Sequence, residues 1–112
     1  MSIDLCAASD LEPELGAAVL LNDGRQLALF RIPATAPHGG PDRLYAVDNI
    51  DPYSGAAVIA RGIVGEHEGR PTVASPLLKQ RFYLDDGTGL ADDGKNLAVA
   101  AIEEHDGRVW LV

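Results

Sequence analysis

A chain of 112 residues with 46% hydrophobic and 23% charged side chains has the composition of a globular protein and room for one core, so a single domain over residues 1–112 is expected. Seventeen acidic residues outnumber nine scattered basic ones, giving a net charge of −8, which excludes the concentrated basic surface that nucleic acid requires. The longest apolar run, 97–102, is far short of a membrane span, residues 1–4 lack the features of a secretory signal, and the one cysteine, Cys6, rules out an internal disulfide and every multi-cysteine metal site. A cytoplasmic protein with no membrane or nucleic-acid partner is expected.

Taken in chain order, Cys6 stands at the start of an expected edge strand and, lacking a neighbouring base, reads as a small apolar packing residue. Residues 17–21 and 26–32 are joined through Asn22-Asp23-Gly24-Arg25, and Asp-Gly between two apolar runs signals a tight hairpin. Within 26–32, Leu27 and Leu29 fall on one face and Ala28, Phe30 and Ile32 on the other, so both faces are apolar and the strand is expected to be central. Three prolines and two glycines make 33–41 a loop. Further strands are expected at 44–48, 71–74 and 81–84. In 54–60, Ser54 is a candidate cap, but Gly55, Val58 and Ile59 limit any helix to one turn. A closing hairpin runs from 97–104 through Asp106-Gly107 into 108–112, with Val99 and Ala101 expected to pack with Val109 and Leu111. Short strands and tight turns throughout predict an all-β, mostly antiparallel two-sheet sandwich or small barrel.

Most residues that could carry chemistry lack the arrangement it needs. Glu66-His67-Glu68, between Gly65 and Gly69, reads as a solvated turn, because consecutive strand residues point to opposite faces and do not converge on one ion. His38 and His105 have no second ligand at metal spacing. The adjacent pairs Asp85-Asp86, Asp92-Asp93 and Glu103-Glu104 lack the fixed separation of an acid–base pair. Gly87-Thr88-Gly89 does not extend into a dinucleotide fingerprint, since Asp92 stands where the third glycine would be. No catalytic residue and no metal site is expected.

Two segments remain, 45–55 and 73–84, each a strand running into a proline-containing loop. This is the frame of a Rieske domain, in which one loop carries Cys-x-His and the other Cys-Pro-x-His around an iron–sulfur cluster. Asn49 and Asp51 stand at the first pair of ligand positions, and Ser75 and Leu78 at the second. Pro76 keeps the proline of the second loop, and Phe82 and Leu84 keep the outgoing strand. Asparagine and serine are not ligands of this class, leucine has no lone pair, and Asp51 alone cannot hold two irons. The pattern predicts a Rieske-like scaffold without its cluster, its two loops adjacent at one end.

The chain resembles the small subunit of assimilatory NAD(P)H-dependent nitrite reductase, a Rieske-like family without cluster ligands. The resemblance is carried by Ala28-Leu-Phe-Arg-Ile32, by Tyr45-Ala-Val-Asp-Asn-Ile-Asp-Pro-Tyr53, by Ser54-Gly-Ala-Ala-Val-Ile-Ala-Arg-Gly-Ile-Val-Gly65 and by Ser75-Pro-Leu-Leu-Lys-Gln-Arg-Phe82. It implies a large subunit that holds FAD, siroheme and an iron–sulfur cluster and reduces nitrite to ammonium in nitrate assimilation. This chain would be a non-redox accessory subunit with no cofactor of its own. Cysteine counting excludes a ferredoxin-like carrier. The other reading is a free-standing binding module for a small molecule or protein, with Asn49, Asp51 and Ser75 as polar contacts, but such side chains routinely satisfy loop backbone instead. Tyr53, Arg61, Lys79 and Arg81 lie beside the two loops and are expected to form part of the docking surface, since cations there stand out in an acidic chain and tyrosine and arginine anchor interfaces.

Overall fold

Strand β3 (Gln26–Ile32) runs between β2 (Ala17–Leu20) and β4 (Arg43–Asp48) and carries the core on both of its faces. The computed structural model describes residues 2–34 and 41–112. Leu27, Ala28, Leu29 and Phe30 are all fully buried, as the apolar character of both faces predicts. Ala28 and Phe30 point into one cluster with Val47, Ile59, Val73, Phe82, Leu84 and Leu97. Leu27 and Leu29 point into a second with Ala8, Leu11, Leu21, Ala46 and Val109. A side chain such as Phe30 or Phe82, at 0% exposure, contributes ~1.5–3 kcal/mol by leaving water.

Because β3 feeds two clusters, the described residues form three sheets rather than the expected two. The central sheet has the order β2-β3-β4-β8, with β8 at Val99–Ala100. One cluster joins it to the sheet β5-β6-β7 (Ile63–His67, Arg70–Ala74 and Arg81–Tyr83), the other to the sheet β1-β10-β9 (Ile3–Ala7, Arg108–Leu111 and Ile102–His105). All named ladders are antiparallel. Among the described residues helix is limited to 3₁₀ turns at Ala8–Asp10 and Ile59–Arg61. Among the described residues no helix is long and apolar enough to cross a membrane.

Four local expectations change. Residues 97–104 are not one strand: Val99–Ala100 pairs with β4, whereas Ile102–His105 pairs with β10, so the chain changes sheets at Ala101. Val99 and Ala101 therefore face solvent, and Ala100 and Ile102 pack inward. Glu66 and His67 end strand β5, and only Glu68 and Gly69, at φ of 52° and 79°, form the turn. Cys6 lies towards the end of β1 and is half-buried; burial pushes its thiol pKa up. Ser54 caps no helix, its Oγ accepting instead from the Ala56 N–H at 3.2 Å. The 33–41 loop falls largely, and His38 wholly, outside the described residues.

The expected Asp-Gly turns are present. Asp106 and Gly107, at φ of 54° and 75°, close the β9–β10 hairpin with the positive dihedrals that a two-residue turn requires. Gly16 serves a different need, because any Cβ there would collide with the Ala60 carbonyl. Its small size lets the approach to β2 press against the 3₁₀ turn that follows the first loop.

Candidate functional site

The first loop leaves β4 at Asn49, and the second joins β6 to β7 at 75–80. Asn49, only 3% exposed, fastens the first loop at both ends. Its backbone N–H donates to the Gln26 carbonyl at 3.0 Å, and its Nδ2 to the Gln26 Oε1 at 3.2 Å. Its Oδ1 accepts from the Ala60 N–H at 2.8 Å, and its carbonyl from the N–H groups of Val58 and Ile59. An amide suits this position because it donates on one side and accepts on the other.

Asp51 is fully buried and folds the loop around itself. Its Oδ1 accepts from the Tyr53 N–H at 2.8 Å, its carbonyl accepts from the Gly55 N–H at 2.7 Å, and its own N–H donates to the Ala56 carbonyl at 2.9 Å. Its Oδ2 accepts from the Ser75 Oγ at 2.5 Å, the bond that joins the two loops. Ser75, itself 1% exposed, closes the second loop by donating its N–H to the Gln80 carbonyl at 2.8 Å and accepting from the Lys79 N–H at 3.0 Å. Burial opposes ionisation of Asp51, but the Ser75 hydroxyl and the backbone N–H groups of Tyr53 and Ser54 outweigh it and hold the carboxyl below its ordinary range. The anion is buried because these donors replace its water.

The structure thus brings Asn49, Asp51 and Ser75 into the interior and leaves Leu78 at the surface, 57% exposed. Together the four offer an amide, a carboxylate, a hydroxyl and an alkane where a [2Fe–2S] cluster needs thiolate and imidazole. The Asp51 and Ser75 oxygens are committed to each other, and the described residues hold no group of three or more His, Cys, Asp or Glu placed to share an ion. These residues do not fit the cluster. Among the described residues no buried side-chain N or O lacks a partner.

A third segment, holding the Asp92-Asp93 pair for which no acid–base role is expected, completes this end. The Tyr53 hydroxyl donates to the Asp93 Oδ2 at 2.5 Å, and the Lys95 Nζ lies 5.7 Å from the Tyr53 ring centroid. That bond, with burial second, pushes the phenol up to about 12, and it is also the main cause of the lowered Asp93 carboxyl pKa. Tyr53 is half-buried, its ring 6.2 Å from that of Phe82. Arg61, Lys79 and Arg81 are exposed and form no ion pair among the described residues, whereas Arg31, Arg70 and Arg108 each pair with carboxylates. Asp85 and Asp86 serve Arg70, and Glu104 serves Arg31, so with Asp93 on Tyr53 members of all three adjacent acidic pairs act as structural partners. The Gln26 and Asp93 contacts had no local signal, being 23 and 40 residues distant in sequence from Asn49 and Tyr53.

Comparison with known proteins agrees with this geometry. The family model of the Rieske-like [2Fe-2S] domain matches residues 2–112. The nitrite reductase (NADH) small subunit of Escherichia coli is 40% identical over 108 residues, 96% of this chain and 94% of that one. The NMR structure of the E. coli protein NirD superposes with a TM-score of 0.82 at 39% identity, covering 99% of this chain and 96% of that one. The nitrite reductase [NAD(P)H] large subunit of Klebsiella oxytoca includes a stretch 38% identical over 109 residues, 96% of this chain but 10% of that protein. With the loop frame retained, its cluster positions altered and such similarity from end to end, the chain belongs to the Rieske-like domain family, among the nitrite reductase small subunits.

Proposed function

We propose that this chain, as a single Rieske-like domain, is the non-redox accessory subunit of a cytoplasmic NAD(P)H-dependent nitrite reductase. It supplies a docking surface to a large subunit that holds FAD, siroheme and an iron–sulfur cluster and reduces nitrite to ammonium. The observation that carries this reading is the Asp51–Ser75 bond, an internal side-chain hydrogen bond at the ligand positions of a chain 40% identical to a nitrite reductase small subunit. The Klebsiella oxytoca large subunit supports it, because a stretch like this chain within the same polypeptide keeps the two units at high effective concentration. Tyr53, Arg61, Lys79 and Arg81 form the docking surface in this reading, their cations meeting carboxylates on the partner.

Co-expression with the large subunit from the same organism tests it. The two chains are expected to co-purify, with flavin and siroheme absorption assigned to the large subunit and none to this one. Arg61→Glu with Lys79→Glu is expected to weaken the complex and flatten its salt dependence. Failure of the folded wild-type chains to associate would remove the reading.

A further inference from the structure

The second loop displays three consecutive apolar residues, Pro76, Leu77 and Leu78, in solvent, the two leucines 52% and 57% exposed. Loop tips of this kind are ordinarily filled by polar residues that satisfy the turn. Other large apolar side chains are as exposed, including Leu20 at 70% and Ile63 at 71%. Those two sit between half-buried or buried neighbours, and Leu15, at 59%, follows the exposed Glu14, so none of them belongs to a run of exposed apolar residues. Isolated exposed apolar residues are ordinary on a protein surface, whereas a pair held together at one tip is a concentrated patch.

The tip is also held in shape. The Ser75 N–H and carbonyl close the loop onto Gln80 and Lys79, Lys79 takes a φ of 59°, and the Ser75 hydroxyl is bonded to the buried Asp51. A partner binding these leucines would therefore have little of the loop left to order, and pre-organisation of this kind strengthens binding without adding contacts. Two exposed cations, Lys79 and Arg81, follow the leucines closely in sequence in a chain of net charge −8. An apolar centre with a charged rim is the anatomy of a specific protein interface.

We infer that Leu77 and Leu78 are the anchor by which this subunit docks, entering an apolar, carboxylate-rimmed pocket on the nitrite reductase large subunit. This rests on the accessory-subunit reading above and names the residues that carry its affinity. The Lys79 and Arg81 cations orient the approach, and the leucines set the lifetime of the complex.

Binding of the purified full-length chain to the purified large subunit, measured at two salt concentrations, tests this. Leu77→Asp with Leu78→Asp is expected to weaken binding about a hundredfold, while thermal unfolding stays near wild type because both side chains are exposed. Leu78→Ala, which adds no charge, is expected to cost about tenfold, and Leu78→Met to stay within a few-fold of wild type. Unchanged affinity in the double variant or in Leu78→Ala, with wild type bound, would overturn the anchor and leave the subunit assignment standing. Absence of wild-type binding would overturn both. Self-association of the isolated chain that Leu78→Ala abolishes would assign the tip to a second copy and overturn the anchor.

Discussion

Two parts of the molecule are tied together by a single charged side chain, and they do it differently. At the loop end, the Asp51 carboxylate is fully buried and its bonded partners are a hydroxyl and backbone N–H groups, all neutral. Where β3 meets the terminal sheet, the Arg31 guanidinium donates to the carbonyls of Leu11 at 2.9 Å and Ala8 at 3.0 Å, and pairs with Glu104 and Asp42. Its side chain keeps 14% exposure, and those carboxylates keep about 40%. The anion is stabilised wholly by oriented dipoles that no water can replace, whereas the cation sits at a margin where water competes. A buried charge with fixed neutral donors is the stronger fastening, because losing it strands those donors.

The largest effect that follows is at Asp51. Asp51→Ala would leave the Ser75 hydroxyl and the Tyr53 N–H buried without partners and is expected to lower stability by about 3 kcal/mol, read from denaturant unfolding. The same carboxyl supplies a pH dependence whose sign follows from its lowered pKa. A group held ionised in the folded state contributes stability above its unfolded value of about 4, and loses it as pH falls through the lower folded value. Asp51→Asn is expected to shrink this acid-side loss without abolishing it, since Asp85, Asp86 and Asp93 are lowered in the same direction. An Asp51→Ala variant as stable as wild type would erase the contrast between the two fastenings.

Arg31 comes next. Arg31→Met keeps the apolar stem and removes the donors, but the Ala8 carbonyl still accepts from the Leu11 N–H and exposed ion pairs are worth little, so a loss of ~1–2 kcal/mol is expected. A loss equal to that of Asp51→Ala would mean that the terminal sheet is fastened as firmly as the loops. The smallest effect sharpens the loop end alone. Tyr53 is expected to titrate near 12 by ultraviolet absorption, and Asp93→Asn to bring it back towards about 10. An unchanged midpoint in Asp93→Asn would detach the third segment from the first loop.

Much of this is legible in residue order, for local reasons. Alternation in 26–32 marks a strand with two apolar faces, Asp23-Gly24 and Asp106-Gly107 mark tight turns, and one cysteine settles by counting that thiolates cannot hold a cluster. The two loop frames show where the ligand positions lie and that their chemistry has changed. β5 is not legible, because an exposed Ile63 and Gly65 break its alternation and its ladder with β6 is what makes it a strand. The change of sheet at Ala101 is equally hidden, since the apolar run 97–102 carries no breaker. The same limit hides the bonds that define the site: Asp51 to Ser75 spans 24 residues and Tyr53 to Asp93 spans 40. Alternation and turn chemistry act over a few residues, so they specify strands and loops. Only the packing of three sheets on β3 decides which loops meet, and therefore that a carboxylate finds a hydroxyl in the interior while two leucines are left in solvent.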